Sequence, residues 1–154
     1  MAELASPSHA FLRHADGLRL ILRAQNFGEL AAEGGRALGE RLRGSPGEAL
    51  GSGSWLEVDV AAPDREAMLI KWLNRLLDLS EWLQWAPVEC RVTAVSDSGL
   101  RAQVRGVSLP RPSRPVRAVL RPNSHLGPDG RDLLADVMFQ DPRTLIGCAA
   151  SGGG

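Results

Sequence analysis

The stretch Asp64–Trp85, DREAMLIKWLNRLLDLSEWLQW, is the longest periodic run in the chain, and its reading decides the fold. Leu69, Leu73, Leu76, Ser80 and Leu83 fall on one helical line. Met68, Ile70, Trp72, Leu77 and Leu79 widen that line into a broad apolar arc. Lys71, Asn74, Arg75, Asp78 and Glu81 recur at spacings of three or four and form one narrow polar stripe. A helix with so thin a polar face needs cover on most sides, so the spacing predicts a central core helix. Pro63 suits the first helical position, and Asp64 and Glu66 put negative charge in the first turn, where the helix dipole favours it. Pro87 marks the end, because the residue before a proline leaves the helical region.

Beyond Pro87 the period changes to two. Val88, Cys90, Val92 and Ala94 alternate with Glu89, Arg91 and Thr93. Ser96-Asp97-Ser98-Gly99 is turn chemistry, and Leu100, Ala102 and Val104 then alternate with Arg101, Gln103 and Arg105. Two such runs about a short turn predict a β-hairpin. Leu109–Pro115 carries three prolines and reads as loop. Val116–Leu120 reads as a short strand, Pro122–Asp132 as loop, and Leu133–Phe139 as the last strand.

Upstream of the central helix, Ser8–Ala24 reads as one half-buried strand, with Leu18, Leu20 and Leu22 on one face and Arg19 and Arg23 on the other. Asn26 followed by Glu29 is a helix-start signal, and the helix extends from Phe27 to about Arg43. Gly34, Gly35 and Gly39 weaken this helix by about 1 kcal/mol each relative to alanine, or let it lie close to a sheet. Gly44–Ser54 is a glycine- and serine-rich loop, and Trp55–Val60 alternates as a strand. The expected order is β-α-β-α-β-β-β-β. That is an α+β single domain, a mostly antiparallel sheet with two helices packed on one face of it. The domain is expected to span 8–141, with flexible tails at 1–7 and 146–154.

With 154 residues, 44% hydrophobic and 23% charged, the chain has the composition of a soluble globular domain. No run approaches 18 apolar residues, which argues against a membrane span. The N-terminus has no signal-peptide core, and Cys90 and Cys148 have no metal-ligand spacing, so a reduced cytoplasmic setting is expected. Net charge is zero, and nothing global attracts nucleic acid. Between Arg91 and Arg121, however, there are seven arginines and one acid, Asp97.

Three stretches in order resemble the archease family. Met68-Leu69-Ile70-Lys71-Trp72-Leu73-Asn74-Arg75-Leu76-Leu77 is similar to that family's LL-x-x-W/F-L-N/D-x-L-L helix. Phe11-Leu12-Arg13-His14-Ala15-Asp16 resembles its F-L-D-H-T-A-D strand, followed by Asn26-Phe27-Gly28-Glu29-Leu30 in place of T-L-E-E-L. Val116-Arg117-Ala118-Val119 and Val137-Met138-Phe139 resemble its closing strands. The resemblance covers about Ser8 to Asp141. It implies an α+β accessory protein, not itself an enzyme, that activates an RNA ligase in tRNA splicing and RNA repair. Such a protein promotes guanylylation and turnover of the ligase, meets RNA through it, and carries a divalent metal ion, calcium or magnesium.

The metal ligands that the resemblance implies are Asp16 and Asp141, with Gln140 standing at the family's aspartate position. Asp16 aligns after a one-residue gap beyond His14; without the gap, Arg13 and Gly17 stand at the family's two acid positions. A hard cation takes oxygen ligands, and acids from two strands can converge on one. The alternative is that Asp16 and Asp141 are turn residues beside Gly17 and Pro142. His14 lies in the matching motif, as a partner contact or a structural histidine. His9 and His125 fall in expected loops and have no recognisable partner. Arg91, Arg101 and Arg105 fit contact with RNA phosphate or the ligase by their bidentate geometry, or else form a solvated sheet face. Trp82 falls nearest the polar stripe and suits a partner contact.

Neither a nucleophile triad nor a phosphate-binding glycine loop can be read. Two other readings remain: a diverged binding or chaperone-like module on the same fold that has lost the metal, and an unrelated small α+β enzyme.

Overall fold

A computed structural model describes residues 7–14, 17–44, 52–108, 117–119, 125–130 and 132–140. The elements in chain order are β1 (Ser8–His14), β2 (Gly17–Ala24), α1 (Phe27–Arg43), β3 (Ser52–Ala61), α2 (Arg65–Leu83), β4 (Trp85–Val95), β5 (Gly99–Ser108), β6 (Arg117–Val119), β7 (His125–Asp129) and β8 (Asp132–Gln140).

The strands form two sheets, β1-β2-β8-β6 with β7 also on β8, and β3-β5-β4. Every pairing is antiparallel. The expectation of an α+β domain with antiparallel strands holds, but one sheet has become two. Each helix contacts strands of both sheets, so the helices do not lie on one face of a single sheet. Alternation shows that a segment is a strand; it does not say which strand it pairs with. β2 finds β8 across most of the chain, Leu20 opposite Val137.

Helix α2 follows the periodicity. Ala67, Met68, Leu69, Ile70, Trp72, Leu73, Leu76, Leu77, Leu79 and Ser80 are buried, and Lys71, Arg75, Asp78 and Glu81 are exposed. Its ends differ from expectation. Asp64, not Pro63, opens it as the N-cap, its carboxylate accepting from the Ala67 amide at 2.8 Å. It closes at Gln84, whose φ of 53° turns the chain left-handed. Leu83, placed on the buried line by spacing, is 43% exposed because the last turn has left the core. Pro87 does not itself mark the helix end; it lies inside β4, opposite Gly106.

Helix α1 matches its expected bounds. Asn26 caps it by accepting from the Glu29 amide, and Gly44 ends it at a φ of 70°. Its interior glycines serve close packing. A Cβ on Gly39 would collide with the Pro87 carbonyl, and one on Gly35 with Cys90 Sγ. The helix therefore lies directly on β4.

Two further expectations are corrected. Ser8–Ala24 is not one strand but a hairpin, β1 against β2, with Phe11 opposite Leu20. Part of the expected 122–132 loop is β7, which folds back on β8 through Gly130 at a φ of 66°. The Ser96–Gly99 hairpin stands as expected, closed by the Ser96 amide donating to the Gly99 carbonyl at 2.8 Å. The proline-rich loop at 109–115 and both expected tails, Pro7 apart, lie outside the described residues.

Candidate functional site

The β1–β2 hairpin and the end of β8 meet at one end of the larger sheet. His14 faces Gly17 in the β1–β2 register, Leu18 faces Phe139 in the β2–β8 register, and Arg117 faces Gln140 in the β6–β8 register. The strand that begins just after Asp16 and the strand that ends just before Asp141 are therefore hydrogen-bonded neighbours at those very ends. The structure brings together the strands that lead to Asp16 and Asp141, which themselves lie outside the described residues. His14 and Gln140 are the last residues of β1 and β8. Among the described residues, no group of three or more His, Cys, Asp or Glu side chains is arranged to hold a metal ion.

The three arginines singled out by spacing share the outer face of β3-β5-β4. Arg101 donates to Asp59 at 2.9 Å, and Arg105 makes a two-pronged contact with Glu89 at 3.0 and 3.2 Å. Trp55 lies between two guanidinium groups, Arg91 at 4.6 Å and Arg105 at 4.5 Å from its ring centre. Acids on the neighbouring strands thus occupy two of the three arginines, and an aromatic ring supports the third. Asp59 raises the Arg101 pKa further, chiefly through their hydrogen bond.

Spacing missed a second polar cluster. His9 is not in a loop; it lies on β1 and reaches α1. Its Nδ1 is 2.5 Å from Glu33 Oε2 and its Nε2 is 2.9 Å from Glu40 Oε1. Arg36 donates to the other Glu33 oxygen through Nε at 3.1 Å and Nη2 at 2.6 Å. Glu33 is buried, 6% exposed, which this set of donors makes tolerable. Burial alone would push its pKa up, but the hydrogen bonds from His9 and Arg36 outweigh it and hold the carboxyl below its ordinary range. The Glu33 contact raises the His9 pKa, burial opposes it, and Glu40 adds to the rise. The available signal was the spacing of Glu33, Arg36 and Glu40 along one side of α1, within an otherwise buried helix.

No family model matches the chain, and no curated protein matches it. Solved structures do. A crystal structure of an archease from Thermotoga maritima, described as a possible chaperone, superposes with a TM-score of 0.60 at 16% identity, covering 91% of this chain and 99% of that one. The fold is that of the archeases. A solution structure of a Methanobacterium thermoautotrophicum protein superposes with a TM-score of 0.64 at 17% identity, covering 86% of this chain and 97% of that one. The archease fold accounts for the strand order at the candidate site, where the first hairpin and the last strand meet. Among the described residues, no helix is long and apolar enough to cross a membrane.

Proposed function

We propose that this chain is an archease-like accessory protein that activates an RNA ligase acting in tRNA splicing or RNA repair. It promotes guanylylation and repeated turnover of that enzyme and has no reaction of its own. The observation that carries the reading is the archease fold over 91% of the chain, joined to the His14–Asp16 motif and the α2 motif in the sequence. Asp16 and Asp141, with Gln140, supply the oxygen donors for a calcium or magnesium ion at the joined ends of β2 and β8. These are hard ligands of the type such ions take, and the Leu18–Phe139 pairing joins β2 to β8 two residues short of each acid in the sequence. A bound ion supplies positive charge to an acceptor on the partner. The chain's own part is to present that end of the sheet to the ligase, with Arg91, Arg101 and Arg105 as a separate contact face.

The test is multiple-turnover ligation of a 3′-phosphate RNA by a ligase from the same source, with and without the chain. Stimulation beyond the first turnover is expected, and Asp16→Ala is expected to abolish it while leaving the fold intact. Replacing Arg101 and Arg105 instead weakens association in a salt-dependent way, because exposed charges act over only about 8–10 Å at physiological ionic strength.

A second reading, a binding or chaperone-like module without a metal, is favoured by one feature: Gln140 stands where the family has an aspartate. The Thermotoga structure's description as a possible chaperone fits it too. Full stimulation by Asp16→Ala would put this reading first.

A further inference from the structure

β1 is the edge strand of the larger sheet, and β2 is its one sheet neighbour among the described residues. Its other support is α1, through His9 and Phe11. The His9 ring has a carboxylate oxygen at each nitrogen, Glu33 at 2.5 Å and Glu40 at 2.9 Å. An ionised carboxylate only accepts, and a neutral imidazole has one N–H to give. Both contacts are hydrogen bonds only when the ring carries two protons. We infer that His9 is an imidazolium latch that clamps the edge strand β1 onto α1 and opens when the ring loses a proton.

The surroundings favour this. From α1, Arg36 donates to the Glu33 oxygen that His9 does not use and so favours the ionised carboxylate beside the ring. Arg41, also on α1, lies over the Phe11 ring at 5.9 Å, so its charge is held at a neighbouring side chain of β1. From β4, burial pushes the Cys90 thiol up to about 12, so it contributes no charge. From β2, the residue opposite His9 is the buried Leu22. With the ring neutral, one nitrogen lone pair faces a carboxylate in a half-buried site, where the repulsion is poorly screened.

The sign follows from the direction of the shift. The His9 pKa is raised above its ordinary 6.5, first by the Glu33 contact. The latch is therefore fully closed below about 6.5 and loosens as pH rises through the raised value. Once open, β1 keeps its ladder to β2 and the packing of Phe11. Because β1 ends at His14, two residues before Asp16, the latch also sets the strand that leads to the proposed metal site. This last link alone rests on the proposed function.

The experiment follows the intact chain by NMR from pH 5.5 to 9.5, reading the His9 ring nitrogens and the exchange protection of β1 amides corrected for intrinsic rate. Both ring nitrogens are expected to be protonated at the low end and to titrate above 6.5. Protection of β1 is expected to fall through the same midpoint, about tenfold for each pKa unit gained on folding, while β2–β8 amides hold theirs. Glu40→Gln, at a side chain that is partly exposed, is expected to lower the midpoint. A His9 that titrates at or below 6.5, β1 protection that is flat with pH, or an unmoved midpoint in Glu40→Gln overturns the latch. Ligation is not part of the readout, so failure of the latch and failure of the ligase reading are separate results.

Discussion

Trp72 of α2 donates its indole N–H to the Ala31 carbonyl of α1 at 2.7 Å, and neither residue has any exposed surface. This bond fixes the two helices at one height where they cross. Trp72→Phe removes the donor and leaves a small void, and is expected to cost about 1–3 kcal/mol. Leu76→Ala, in the same fully buried arc, is expected to cost about 2–5 kcal/mol. Urea melts of both variants check this; a loss below about 0.5 kcal/mol at Leu76 would mean that the face is not packed.

Gly39 separates local preference from tertiary contact. Helix propensity alone says that Gly39→Ala gains about 1 kcal/mol. The Pro87 carbonyl occupies the space the methyl group would need, and it is backbone, so β4 or α1 has to shift. A net loss of about 1–3 kcal/mol is expected. A thermal melt that shows stabilisation would place α1 farther from β4 than described.

Ser80 carries a hydroxyl that is buried and has no hydrogen-bond partner. Ser80→Ala removes an unsatisfied polar group and adds a better helix former. A gain of about 1 kcal/mol is expected in a urea melt. A loss would reveal a partner for the hydroxyl, such as a buried water.

The His9–Glu33 pair makes stability depend on pH from both sides. The raised His9 pKa contributes stability that is complete below 6.5 and is lost as pH rises through the folded value. The lowered Glu33 pKa contributes stability that is complete above 4.5 and is lost as pH falls through its folded value. The two contributions are both complete between about 4.5 and 6.5. Denaturant melts across pH are expected to show a plateau there, and His9→Gln is expected to flatten its alkaline side. An unchanged alkaline slope in that variant would remove His9 from the linkage.

The sequence by itself determined the local elements. The thin polar stripe of α2, the Asn26–Glu29 start of α1 and the two-residue alternation about Ser96–Gly99 are all set by neighbours a few positions apart, where periodicity and capping act. The family motifs around His14–Asp16 and in α2 were legible for the same reason, since they are short and contiguous. Only the tertiary structure decided which strands pair. Pairing of β2 with β8 depends on closing a long loop and on which faces find cover, and alternation carries neither. The same holds for His9. Its partners lie 24 and 31 residues away on another element, so the sequence shows a lone histidine and the fold makes it the centre of a charged cluster. The arginines show both halves. Their shared face followed from a period of two, but Asp59, Glu89 and Trp55 became their partners only when β3 and β4 flanked β5.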